Sequence, residues 1–189
     1  MPNWCENELT IAIDKKGHPR DRNKRLKYLE NFIKFARDPD YPDVHISADR
    51  FIPYPKEWKI LDKKHREVAD KIDALPKEER IEWYKNNKLP EDGYNHGGYD
   101  WCCENWGSKW NLADTTPAEE IEPGKILYKF STAWSPPCPT IIKMSEMFQE
   151  LIFTLQYWEC GMAFRGTFKV KDGAILIDKS SKYSGGRGG

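Results

Sequence analysis

The segment 126–160, with the sequence ILYKFSTAWSPPCPTIIKMSEMFQELIFTLQYWEC, carries the clearest signal of the fold. Ile126–Trp134 is a strand candidate, and Pro139–Thr140 opens a helix because proline is tolerated in the first helical turn. The helix carries apolar residues over Ile141–Leu151. Phe153–Cys160 alternates between apolar and polar residues and predicts a second strand. The segment therefore predicts a strand, a helix and a strand in succession.

The first 52 residues predict the same kinds of element. Leu9–Ile13 alternates and predicts a strand. Apolar residues at helical spacing over Leu26–Ala36 predict a helix, which Asp38–Pro39 terminates. Val44–Ile52 is a further strand candidate. Later in the chain, Trp106–Leu112 is also a strand candidate.

The middle of the chain is charged and has a helical pattern. From Lys56 to Pro90 we expect two short helices broken at Pro76, which together form an insertion in the domain. The alternating Lys and Glu residues of this stretch indicate a solvated helical face with i,i+4 pairs.

The carboxyl-terminal part predicts a hairpin and a tail. Met162–Lys171 and Ala174–Asp178 are the strands of the hairpin, and Asp172–Gly173 is typical of a type I′ turn. Ser180–Gly189 is rich in serine and glycine and contains arginine. We therefore expect residues 180–189 to form a flexible tail on a single domain of residues 1–179.

This order of elements predicts the fold class. Strand, helix, strand, insertion, strand, helix and strand is the order of an α+β, ferredoxin-like sandwich, in which two helices cover one face of an antiparallel sheet. The expected sheet contains Leu9–Ile13, Val44–Ile52, Ile126–Trp134 and Phe153–Cys160, and the expected helices are Leu26–Ala36 and Ile141–Leu151.

Composition narrows the classes of protein. Basic and acidic residues number 30 each, so the formal net charge is zero, whereas a general polyanion binder usually has a basic excess. No stretch approaches the run of about 18 apolar residues that a membrane span needs, and the amino terminus lacks the apolar run of a signal peptide. We therefore expect a cytoplasmic protein.

Cysteine usage argues against a metal site and against disulfides. The five cysteines are odd in number and include no Cys-x-x-Cys pair. The adjacent Cys102 and Cys103 follow His96 at a spacing that matches no standard zinc site. We expect reduced thiols packed as small apolar groups, with no metal and no cofactor.

Eight tryptophans occur in 189 residues, and most of them lie in polar, glycine-containing motifs. A rigid aromatic face beside hydrogen-bonding groups is expected at a ligand site or at a tight structural corner. The four motifs are Asn3–Asn7, Tyr99–Asn111, Ser131–Pro137 and Tyr157–Gly161.

Together these motifs resemble the YubB-like family, small proteins of conjugative plasmids and bacteriophages. The resemblance rests on MPNWCEN at 1–7, NWGSKWN at 105–111, FSTAWSPP at 130–137 and YWECGMAFRG at 157–166, in that order. It covers most of the chain except the charged insertion and the tail. It implies a ferredoxin-like domain, a mobile-element origin and therefore the cytosol of a bacterial host; the family has no assigned catalytic residues.

The ends of these motifs could converge near the strand-to-helix corner at Trp134. Polar residues beside tryptophan are costly to bury without partners, so they must bind one another, water or a ligand. We predict one neighbourhood of ligand-binding residues, which comprises Asn3, Trp101, Asn105, Lys109, Trp134, Ser135 and Glu159. The alternative is a satisfied structural network that fixes the amino-terminal strand.

Glu159, at the end of a strand candidate, could act as a general base or as a ligand anchor with Lys109 as its partner. The alternative is a hydrogen bond or a salt bridge that fixes the turn at Gly161. No Ser-His-Asp, Cys-His, Walker or dinucleotide motif is present, so an enzyme is disfavoured.

The leading hypothesis is a non-catalytic binding or accessory protein of a phage or plasmid, which acts on a host macromolecule such as a host protein, or on a nucleotide-like ligand. One alternative is a nucleic-acid-binding module that uses its sheet face, although the RNP signature is absent. The other is an enzyme centred on Glu159 and Lys109. A basic exposed sheet favours nucleic acid, a closed polar pocket favours a small ligand or catalysis, and an exposed apolar patch favours a protein partner.

Overall fold

The structure, a computed structural model, describes residues 3–14 and 22–185. Its sheet is antiparallel throughout, with the strand order β2-β3-β1-β4-β5-β6. The strands are β1 Trp4–Ile13, β2 Glu119–Glu122, β3 Lys125–Ala133, β4 Leu151–Glu159, β5 Phe164–Lys171 and β6 Ala174–Lys182. The helices are α1 Arg22–Ala36, α2 Ala48–Phe51, α3 Lys56–Asp73, α4 Lys77–Asn86, α5 Tyr99–Asn105 and α6 Cys138–Met147, with a π-helical turn at Tyr94–Gly98. The chain divides into two compact units, one made by Tyr54–Trp101 and the other by the segments on either side of it.

β1 lies between β3 and β4 in the sheet, and one of its two faces is buried in the core. The buried side chains of this face are Cys5, Asn7, Leu9 and Ile11. Helix α1 packs on this face of the sheet, and α6 packs on β4 and β5. The ring of Phe32 in α1 lies 6.3 Å from that of Tyr128 in β3 and 5.5 Å from that of Phe153 in β4. Burial of each such ring stabilises the fold by about 2–3 kcal/mol.

The opposite side of the sheet, called the polar face below, carries charged and amide side chains. Residues directly opposite one another in neighbouring strands share a face. One row across β1, β4, β5 and β6 is Glu6, Trp158, Arg165 and Ser181, and the next row is Glu8, Gln156, Thr167 and Lys179.

The predicted ferredoxin-like, α+β class is confirmed by the antiparallel sheet with two helices on one face. The β5–β6 hairpin turns at Asp172 and Gly173, whose φ angles of 49° and 73° are both positive, as a type I′ turn requires. Strand β6 continues to Lys182 because Ser180 pairs with Gly166. The predicted tail therefore begins too early, since residues 180–182 belong to the sheet.

The prediction of a strand at Val44–Ile52 is wrong. Ala48–Phe51 forms the short helix α2, and Ala48 and Phe51 are both buried at the spacing of a helical turn. The backbone N–H of Ala48 donates to Oδ1 of Asn111 at 2.8 Å. This contact satisfies one of the free N–H groups at the start of a helix, and sequence alone could not reveal it because it spans 63 residues.

The prediction of a strand at Trp106–Leu112 is also wrong. Gly107 has φ 78°, a conformation that favours glycine, and it turns the chain away from an extended path. The indole of Trp106 is buried and donates to the carbonyl of Ile52 at 2.8 Å, whereas Trp110 is 39% exposed. The two indoles therefore do not share one face of a strand, as the alternation implied.

The unit Tyr54–Trp101 contains α3 and α4 and is held by an aromatic cluster. The rings of Tyr54, Trp58 and Trp101 lie with their centroids 5.6 to 6.5 Å apart. The charged insertion is thus a compact unit of its own, and its ends lie beyond the predicted limits of 56 and 90. Within residues 3–14 and 22–185, none of the helices combines the length and the apolar character needed to cross a bilayer.

Candidate functional site

Three segments meet at one corner of the sheet: the start of β1, the end of β3 and the loop after α5. Trp4 lies opposite Ala133, and the backbone N–H of Trp134 donates to the carbonyl of Asn3 at 3.0 Å. Trp134 has φ 73°, a left-handed conformation that is rare for a bulky side chain. Such a conformation costs about 1–3 kcal/mol and persists only where its surroundings impose it, often at a functional site.

The corner presents three partly exposed indoles, and one cation lies over two of them. Lys109 places its Nζ 4.0 Å from the ring centroid of Trp110 and 3.9 Å from that of Trp134. Trp4 lies beside Trp110, with ring centroids 6.1 Å apart. These three tryptophans are 37 to 40% exposed, and with Lys109 they are called the tryptophan patch below. Partly exposed indoles beside a cation form a candidate binding surface.

A hydrogen-bonded scaffold holds the loop beneath the patch. The hydroxyl of Ser135 donates to the carbonyl of Gly107 at 2.7 Å, and the hydroxyl of Thr140 donates to the carbonyl of Trp106 at 3.1 Å. The hydroxyl of Ser108 accepts from the N–H of Ala133 at 3.1 Å. Because these contacts join the loop to both β3 and α6, they fix the loop backbone beneath the patch.

Glu159 has a structural role in the geometry. Its side chain is 2% exposed, and its two carboxylate oxygens accept from the backbone N–H groups of Gly161 (2.6 Å) and Met162. Glu159 lies opposite Cys5, on the helix-covered face, whereas Trp4 points to the polar face. The described residues include no ion pair between Glu159 and Lys109. The carboxylate therefore fixes the turn after β4, which is the alternative that the sequence left open.

The remaining predicted site residues fall into different settings. The amide of Asn3 lies so close to Gly161 that an added Cβ there would be 2.5 Å from Asn3 Nδ2. Asn105 is half-buried at the end of α5. Trp101 belongs to the compact unit Tyr54–Trp101, where its ring packs against that of Tyr54. Lys109, Trp134 and Ser135 therefore lie together at the corner. Asn3 and Glu159 lie together at the neighbouring turn after β4.

Sequence reasoning missed a groove on the polar face. The groove has a volume of about 810 Å³, and its lining includes Gln156, Trp158, Arg165, Lys179 and Tyr183. Trp158 belongs to one of the tryptophan motifs, so part of the signal was present in the sequence. Its neighbours come from β5 and β6, whose register with β4 is fixed only by tertiary pairing.

Two of the thiols are unsuited to act as nucleophiles. Burial raises the pKa of Cys5 to about 12, and burial likewise raises the pKa of Cys138 to about 12. Both thiols therefore stay protonated near neutral pH, and the thiolate is the reactive form of cysteine.

Comparison with known proteins gives a partial family match and a similar crystal structure. Residues 105–184 match the family model described as "Ferredoxin-like domain in Api92-like protein". The chain is also similar to the crystal structure of a protein api92 from Yersinia pseudotuberculosis, with 11% identity, coverage of 98% of this chain and 99% of that chain, and a TM-score of 0.47. No curated protein matches the sequence. The family match covers fewer than half of the 189 residues, and it supports a ferredoxin-like domain in residues 105–184.

Proposed function

We propose that this protein is a non-catalytic binding protein that takes a nucleotide-like ligand at the tryptophan patch. The position of Lys109 Nζ, about equally close to the rings of Trp110 and Trp134, carries the proposal. An exposed indole face stacks a base, and stacking of this kind is worth about 1–3 kcal/mol per base. The ammonium group beside it offers a phosphate three N–H donors.

The arrangement of exposed groups favours this ligand over the alternatives. A purely apolar partner surface would leave the Lys109 charge without a counterpart, whereas a nucleotide supplies a planar ring and an anion together. A reaction centred on Glu159 and Lys109 gains no support, because both oxygens of Glu159 are engaged by backbone N–H groups. In this proposal the ligand binds without being transformed.

The biological setting of the proposal rests on the resemblance of the four motifs to the YubB-like family. On that basis the protein is an accessory protein of a phage or plasmid and acts in the cytosol of the bacterial host. There its ligand is a host nucleotide or a host macromolecule that presents one.

Isothermal titration with adenosine monophosphate tests the proposal. We expect binding by the wild-type protein, and a fall of at least about tenfold in affinity for Trp110→Ala and for Lys109→Ala, since each removes one of the two recognised features. Trp83→Ala is the matched control, because Trp83 lies in α4 and pairs with Tyr84 in the other unit. Equal affinities for Trp110→Ala and Trp83→Ala would contradict the proposal.

A further inference from the structure

The groove on the polar face is built from two rows of side chains that cross β4, β5 and β6. Register places Trp158 opposite Arg165 and Arg165 opposite Ser181. The neighbouring row places Gln156 opposite Thr167 and Thr167 opposite Lys179. All six of these residues line the groove of about 810 Å³, so its floor is the polar face itself.

Two aromatic rings border the groove. Trp158 is half-buried in the row nearest to the tryptophan patch, and Tyr183 follows the end of β6. A hydrogen bond with Cys160 raises the pKa of Tyr183, and the backbone N–H of Tyr183 donates to the carbonyl of Ala163 at 2.8 Å. These contacts hold the second ring at the rim of the groove.

On the polar face, the groove is lined by two positively charged side chains. Arg165 and Lys179 are both exposed, and Arg165 Nε donates to the hydroxyl of Ser181 at 3.4 Å. In the part of the chain that the structure describes, neither cation forms an ion pair. Asp178 also borders the groove, but it lies opposite the buried Phe168, so its carboxylate belongs to the helix-covered face.

The groove and the tryptophan patch lie on the same face of the sheet. Trp4 belongs to the patch, and Glu6, two residues further along β1, lies opposite Trp158. At a rise of about 3.3 Å per residue, the two rows are about 7 Å apart. Glu6 is the acidic group between them, and its carboxylate accepts from the hydroxyl of Ser131 at 3.3 Å. The next acidic group, Glu8, is paired with Lys129 at 3.4 Å.

We infer that the patch and the groove together bind single-stranded nucleic acid, an inference that rests on the proposed function and extends its ligand from one nucleotide to several. Bases stack on the patch indoles, Trp158 and Tyr183, and phosphates pair with Arg165 and Lys179. Aromatic platforms beside a cationic groove recognise single strands in this way, with little dependence on sequence.

Fluorescence anisotropy with labelled ten-nucleotide oligothymidylate and oligouridylate tests the inference, with adenosine monophosphate titrated in parallel. We expect the oligonucleotides to bind at least about tenfold more tightly than the mononucleotide. The double variant Arg165→Ala/Lys179→Ala removes most of that gain and leaves adenosine monophosphate binding unchanged. Since each phosphate contact in a single strand contributes about 0.7 to the slope of log K against log salt, the slope falls by about 1.4.

The matched control is Lys77→Ala/Lys88→Ala, which removes two exposed cations from the other compact unit. Tight binding of either oligonucleotide supports the inference. The ratio of the two affinities shows whether the protein prefers DNA or RNA. If adenosine monophosphate binds but the oligonucleotides bind no more tightly, or if both double variants behave alike, the inference fails and the proposed function stands. If neither ligand binds, both fail.

Discussion

At the scale of single residues, the corner separates two kinds of polar group. The Nζ of Lys109 lies over the rings of Trp110 and Trp134. Glu159 is buried, and each of its carboxylate oxygens accepts from a backbone N–H group. The first arrangement is the one that we propose for ligand binding, and the second stabilises the fold. The sequence suggested both residues for one site, since it shows their types but not their surroundings.

Glu159→Gln therefore tests stability rather than binding. An amide offers one acceptor oxygen where two N–H donors converge, so its NH₂ group faces a donor. We expect the free energy of unfolding to fall by about 1–3 kcal/mol. Chemical denaturation measures this fall, and adenosine monophosphate affinity should stay the same.

Lys109→Ala should behave in the opposite way. The residue is partly exposed and its cation–π contacts are worth about 1 kcal/mol together, so the melting temperature changes little while affinity falls. A large loss of stability with unchanged affinity would assign Lys109 to the scaffold.

The buried thiols give a second prediction at this scale. Because burial raises the pKa of Cys5 and Cys138 to about 12, their thiolate fractions stay very small up to pH 9 and rise only toward pH 12. We expect both residues to escape alkylation by iodoacetamide in the folded protein and to react fully in denaturant, as read by peptide mass spectrometry. Rapid modification of either one at pH 8 under native conditions would be inconsistent with this environment.

At the scale of elements, alternation and turn chemistry predicted most of the sheet, and tertiary contacts decided the rest. Leu9–Ile13 and Phe153–Cys160 lie within or overlap β1 and β4, because one apolar face per strand is readable from sequence. The strand prediction for Val44–Ile52 was wrong because Ala48–Phe51 is helical. The backbone N–H of Ala48 at the start of this helix donates to the distant Asn111. The groove could not be predicted from the sequence for the same reason, because it depends on the register of three strands.

The loop that carries Lys109 and Trp110 depends on Gly107. Gly107 has φ 78°, and a Cβ there would lie 2.6 Å from Cδ of Pro139. Gly173→Ala is a matched control, with φ 73° but a Cβ 3.2 Å from the flexible Cγ of Glu146. Both variants bear the cost of the left-handed backbone, about 1–2 kcal/mol. We expect Gly107→Ala to lose at least about 1 kcal/mol more in thermal or chemical unfolding; equal losses would show that Pro139 yields without cost.

At the scale of the whole molecule, a net charge of zero conceals an uneven distribution. The groove is cationic on the polar face, and Glu6 stands between it and the tryptophan patch. The zero net charge argued against a nucleic-acid ligand. Such binding depends, however, on the charge of the local surface that contacts the ligand.

Glu6→Gln should accordingly strengthen oligonucleotide binding. Removing one negative charge near a phosphate chain is worth up to about 1 kcal/mol at an exposed site, so we expect affinity to rise about two- to five-fold at low salt and the gain to shrink at high salt. Anisotropy titrations at two salt concentrations measure the effect. Unchanged binding by Glu6→Gln would mean that the strand does not cross β1 near Glu6.

The indole N–H resonances of the ¹⁵N-labelled protein report on ligand binding at the tryptophan patch. On titration with adenosine monophosphate, we expect the signals of Trp4, Trp110 and Trp134 to shift together with one affinity, while those of Trp58 and Trp83 stay in place. If millimolar nucleotide leaves the three patch indoles unmoved, or shifts only Trp58 and Trp83, the patch is not the binding site.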